Sequence, residues 1–97
     1  MEICEFKEKY LKHNFFWVNE NNYLKIQEIM MKCGIYNHTD NPHPIEWHKG
    51  FNNLVVFPPD KWTNRRYYQK VDMYLPNASY GKPVNIEQFF KDWETII

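Results

Sequence analysis

Leu54-Val55-Val56-Phe57-Pro58-Pro59 is a continuous apolar run stopped by two prolines. A short run of β-branched and aromatic residues with no polar break reads as a strand buried on both faces. The prolines cannot donate to a ladder, so the strand must end there. This segment predicts the centre of a sheet, and the rest of the chain is read outward from it.

Downstream, Tyr67 to Leu75 alternates: Val71, Met73 and Leu75 point one way, and Lys70, Asp72 and Tyr74 the other. That is the pattern of a half-buried strand. Residues 58–66 then make an antiparallel connection with a long tip. Upstream, Asn14-Phe15-Phe16-Trp17-Val18 is a second run of β-formers, expected to be at least partly covered on both faces. Ile45-Glu46-Trp47-His48 has the make-up of a short edge strand, and the turn formers of 37–44 precede it.

Three segments carry helical spacing. Ile3, Phe6, Tyr10 and Leu11 form a stripe over 3–11. Asn19 to Cys33 is expected to be capped by Asn19 or Asn21. It carries Tyr23, Ile26, Met30 and Cys33 on its apolar face, with Lys25, Gln27, Glu28 and Lys32 on the remainder. Gly34 stands where a left-handed residue closes a helix, and Ile35 can pack back on the last turn. After the loop of 76–83, Asn85 and Gln88 have capping-box spacing, with Val84 and Phe89 placed as a hydrophobic staple. Ile86, Phe89, Phe90, Trp93 and Ile97 continue the last apolar stripe. The fold class is therefore α+β: a small antiparallel sheet of three to four strands with two or three helices packed on it, as a single domain over 1–97.

Composition bounds the function. The 97 residues include seven Phe, seven Tyr and four Trp, enough for a core without staples. Twelve basic and twelve acidic residues cancel, so no general field draws the chain to nucleic acid or membrane. Almost half of the chain is Phe, Tyr, Met, Ile, Asn or Lys, which points to an AT-rich gene. Cys4 and Cys33 lack metal-knuckle or redox spacing. The first residues do not have the pattern of a signal peptide, and no apolar run approaches the roughly 20 residues that span a bilayer. A cytoplasmic location with free thiols is the expectation.

Four constellations could carry chemistry. His38, Asp40, His43, Glu46 and His48 are imidazole and carboxylate donors suited to zinc, although the prolines block helical presentation. Lys61-Trp62-Thr63-Asn64-Arg65-Arg66-Tyr67-Tyr68-Gln69-Lys70 joins four cations to three aromatic rings without an acid. Such a segment can grip phosphate and stack on a base. Cysteine catalysis is disfavoured, because Cys33 falls on an apolar face and Cys4 sits between Glu2 and Glu5. Finally, Trp47, Trp62, Tyr68, Tyr74 and Tyr80 fall in loops or on outer strand faces, where exposed aromatics mark interfaces.

Phe16-Trp17-Val18-Asn19-Glu20, Lys25-Ile26-Gln27-Glu28-Ile29 and Gly34, followed by Tyr36, Leu54-Val55-Val56 and Val84 to Phe90, resemble small uncharacterised proteins of tailed bacteriophages. The resemblance covers roughly two-thirds of the chain and leaves out 37–50 and 58–70. It implies a phage accessory protein acting in the host cytoplasm on a host enzyme or defence system.

The leading expectation is a non-enzymatic binding protein that modulates a host protein. Its surface is Trp62, Arg65, Arg66 and Tyr68, with His43, Trp47 and His48 second. The alternative is a nucleotide or nucleic-acid binder using Lys61, Arg65, Arg66 and Lys70. Third is a small metal-dependent enzyme at His38, His43, Glu46 and His48. No cofactor and no membrane partner are expected; self-association stays open.

Overall fold

The computed structural model describes residues 1–37, 43–47, 49, 52–59, 66–70 and 81–96. In chain order these form α1 (Ile3–Tyr10), β1 (Asn14–Trp17), α2 (Tyr23–Lys32), β2 (Tyr36–Asn37), β3 (Asn53–Phe57), β4 (Tyr67–Lys70), β5 (Lys82–Pro83) and α3 (Ile86–Glu94). The strands lie in the order β2-β4-β3-β1-β5. The α+β class stands.

The apolar run at 54–57 does lie at the centre, as β3, paired antiparallel with both β1 and β4. Leu54, Val55 and Val56 have no exposed surface. The sheet itself is larger than expected and mixed. Each edge carries a two-residue parallel strand, β2 on β4 and β5 on β1. The edges thus return beside strands that run the same way, which needs the longer connections parallel pairing demands.

Register divides the sheet into two faces. Phe16, Leu54, Val56 and Tyr68 join Phe6 and Tyr10 of α1, Ile26, Ile29 and Met30 of α2, and Phe89 of α3 in one buried cluster. Phe15 and Val55, with Phe57 against them, form a separate cluster on the other face. The described helices therefore pack on one side. Phe89 is the hub of that side. Its ring centroid lies 4.9 Å from Phe16, 5.1 Å from Phe6 and 5.3 Å from Tyr10, so one side chain joins α3, β1 and α1.

The helix ends are fixed by local chemistry. Gly34 has φ +80, and the Gly34 and Ile35 amides donate to Met31 and Met30 carbonyls at 3.0 and 2.9 Å. That is a Schellman closure, and Ile35 is buried against the core as the motif asks. The α2 start differs from expectation. Asn19 Oδ1 accepts from the amides of Asn21 and Asn22, and Asn19 N donates to Asn22 Oδ1. Residues 19–22 thus form their own turn ahead of the helix instead of its first turn. Asn85 Oδ1 caps α3 by accepting from Gln88 N at 3.1 Å. Gln88 does not complete the box; its amide donates to Asp92 Oδ1 at 2.9 Å. In α1, Ile3 is 43% exposed, so the working stripe is Phe6, Tyr10 and Leu11.

Asp92 also clamps α3 to α1. The Tyr10 hydroxyl donates to Asp92 Oδ2 at 2.5 Å and the Lys9 ammonium donates at 2.9 Å. The Tyr10 bond, then Lys9, holds the Asp92 carboxyl at about 2 instead of the ordinary 3.8. A carboxylate with a depressed folded pKa stabilises above its ordinary pKa, and that contribution disappears as pH falls toward the folded value.

Two outcomes follow. Phe89→Ala lowers unfolding free energy by about 3–5 kcal/mol in urea denaturation, because it leaves a cavity among the Phe6, Tyr10 and Phe16 rings. Asp92→Asn is less stable than wild type at neutral pH, and the two unfolding midpoints converge as pH falls from about 4 to about 2.

Candidate functional site

Gln27 is the residue from which the candidate surface is built. It was expected on the polar side of α2, yet it has no exposed surface. Tyr23, Gln27 and Met30 follow helical spacing, so Gln27 turns toward the core beside them. Its Oε1 accepts from Ile45 N at 2.6 Å and from the Tyr68 hydroxyl at 2.9 Å. Its Nε2 donates to Ile45 O at 3.1 Å and Tyr23 O at 3.3 Å. Two acceptor sites and two donors are all used, which is what a buried amide requires.

This node explains why Ile45-Glu46-Trp47 is not the edge strand expected. Ile45 gives both its N–H and its C=O to the Gln27 side chain, so the groups a neighbouring strand needs are already taken. The segment is fixed a second time where Asn37 Nδ2 donates to His43 O at 3.2 Å. Ile45 packs inward against the main core and Trp47 packs at its margin. The Trp47 ring rests 5.5 Å from the Tyr23 ring. His43 and Glu46 are exposed on the outside of the same segment. The result is a half-buried indole held by two anchored backbone positions, on a segment that also exposes an imidazole and a carboxylate.

The 61–70 candidates fare differently. Lys61, Trp62 and Arg65 lie outside the described residues, as do Tyr74 and Tyr80. Tyr68 is fully buried, contrary to its place among the exposed aromatics. Pairing with Val56 turns it to the helix side, the parity opposite to the one read from Val71, Met73 and Leu75, which also lie outside the described residues. Burial pushes its hydroxyl up to about 12, so it remains a neutral donor to Gln27. Arg66 is 21% exposed and its guanidinium meets Glu8 Oε1 at 2.7 Å. That contact is the first cause holding Glu8 below its ordinary carboxylate value. The backbone of Lys70 pairs with Leu54 at the end of β4.

Of the metal candidates, His43 and Glu46 are described, and His38, Asp40 and His48 are not. Among the described residues no three His, Cys, Asp or Glu side chains converge. Cys33 is buried, and burial pushes its thiol up to about 11, away from thiolate chemistry. Cys4 is exposed, its Sγ 3.9 Å from Glu2 Oε2. Among the described residues no helix is long and apolar enough to cross a membrane. The chain matches no family model, no curated protein and no solved structure at a significant level.

Gln27 is the residue sequence reasoning placed on the wrong side. The signal available was its spacing from Tyr23 and Met30; the need for a polar group there arises only from the distant Ile45 and Tyr68. Removing the amide leaves buried partners unsatisfied, and each such group costs roughly 1–3 kcal/mol. Gln27→Leu therefore loses about 2–5 kcal/mol in urea denaturation, whereas Tyr68→Phe, which removes one bond from an oxygen that keeps Ile45, loses about 1 kcal/mol.

Proposed function

We propose that this chain is a non-enzymatic binding protein that grips a partner protein through Trp47, with His43 and Glu46 beside it. The observation that carries this reading is the fixed, half-buried indole on Tyr23. Binding energy concentrates on a few large anchors, Trp foremost, and it is greatest when the anchor is ordered before the partner arrives. The Gln27 and Asn37 bonds supply that order. On this proposal the partner is a host protein and its modulation the effect, as expected of a phage accessory protein.

The nucleotide or nucleic-acid reading is placed second. Of its four residues, Arg66 is engaged with Glu8, so phosphate would have to displace a charge-assisted bond of 2.7 Å.

The test is capture from host lysate by wild type, Trp47→Ala and Trp17→Ala, each first confirmed folded by its urea midpoint. Trp17 is 38% exposed on the sheet face turned away from the helices, and it serves as the control aromatic. The expected result is a specific host protein lost by roughly tenfold or more with Trp47→Ala and kept with Trp17→Ala. Equal recovery by wild type and Trp47→Ala overturns this surface.

A further inference from the structure

The structure points to a second site, and we propose that it binds the phosphate group of a small molecule in the depression between the end of α1 and the ends of β1, β3 and β5. The depression has a volume of about 640 Å³ and is lined by Lys9, Lys12, Asn14, Pro58 and Lys82, together with Glu8, His13 and Gly81. That volume lies within the range of small-ligand sites. This site is separate from the Trp47 surface and does not rest on it.

Asn14 makes the depression more than a patch of lysines. It is only 9% exposed, and it opens β1 between Val56 and Lys82. Its Oδ1 accepts from the backbone amides of Lys12 at 3.1 Å and His13 at 3.2 Å. Two backbone donors on one oxygen fix which end of the amide is which. Nδ2 is therefore left as a donor, and among the described residues nothing accepts from it. The residue is nine-tenths buried but its Nδ2 is not sealed from solvent, and an open donor in a residue that lines a depression fits an acceptor brought by a ligand.

The charges agree in sign. Lys9, Lys12, Lys82 and Arg66 surround the depression or touch its wall, against Glu8 and Asp92. Glu8 is held mainly by Arg66 and reached by Lys12 at 3.6 Å, and Asp92 holds Lys9. Among the described residues no acid pairs with Lys82. The balance left to an incoming anion is positive. The carbonyl end of α1 opposes an anion there, and lysines in and just past the last turn offset it. Oxygen-rich anions suit this set because ammonium groups and an amide N–H are all donors.

Gly81 lets the lining chain close on His13. Its φ is +86, and a Cβ there would sit 2.1 Å from the His13 carbonyl oxygen. Only glycine lets this backbone close on His13, with Lys82 N donating to His13 O at 3.3 Å and Lys82 brought opposite Asn14. Pro58 supplies an apolar wall against which an organic body can lie.

The test titrates inorganic phosphate, AMP and adenosine into ¹⁵N-labelled protein at low ionic strength. The Asn14 side-chain NH₂ and the Gly81 and Lys82 amides are followed. Phosphate and AMP are expected to shift these signals and adenosine to leave them unmoved. Tighter binding of AMP assigns the site to an organic phosphate; equal binding assigns it to the free anion. Asn14→Asp keeps the acceptor for both backbone amides and removes the donor, so it should weaken phosphate or AMP binding by roughly tenfold or more. Lys82→Glu, at an exposed position, should weaken it similarly and covers the case in which Asn14→Asp does not fold. Unmoved Asn14 signals with both phosphate probes, or full affinity in Lys82→Glu, overturns the proposal.

Discussion

A single buried amide holds together parts of this protein that are far apart in sequence. Gln27 bonds Ile45 eighteen residues on and Tyr68 forty-one residues on. Both partners sit at the margin where α2 meets the sheet. A hydrogen bond made there contributes modestly, but one broken there leaves a dry, unpaired group and costs more. The asymmetry makes the node a constraint on geometry more than a source of stability. With Gln27 satisfied, 43–47 has one place to lie, and Trp47 has one place to rest.

The node shares its core with a cluster of aromatic rings. Phe89 gathers Phe6, Tyr10 and Phe16 around itself, and Tyr10 continues outward to Asp92. Helix, strand and helix are thus joined by ring contacts on the inside and by a charge-assisted bond at the rim. Beyond the end of α1 the same packing leaves the depression lined by Asn14 and Lys82. The two proposed sites therefore occur where a polar residue has been carried into the margin of an apolar layer. At Gln27 every polar group is used, and the product is a fixed segment. At Asn14 one end of the amide is left over among the described residues.

Sequence alone revealed the parts whose signals are local. The apolar run ending in Pro58 and Pro59 gave the central strand. Gly34 with Ile35 gave a helix end, and Asn85 with Val84 and Phe89 gave a helix start. In each, the residues that make the structure lie within a few positions of one another. The parts that stayed hidden depend on distant partners. β2 and β5 are two residues long, too short to show alternation, and Lys82-Pro83 lacks a ladder donor at Pro83. Tyr68 read as an exposed aromatic among cations because its parity is set by the register with β3. Gln27 and Asn14 read as ordinary polar residues because nothing near them in sequence announces a buried role. For the candidate site, the sequence offers His43 and Trp47 only as exposed binding residues; the Gln27 and Asn37 bonds that fix their segment come from distant positions and are not visible in it.

The position of 43–47 depends on the Gln27 side chain holding the backbone of Ile45 in the folded protein. Amide hydrogen exchange of Ile45, measured residue by residue in the unmodified chain, reads this directly. Protection close to that of the central Val55 and Val56 amides is expected, since opening the bond requires exposing a buried amide. Exchange at the rate of an unprotected surface loop would show that 43–47 is not held by α2, and the fixed Trp47 anchor would have no basis.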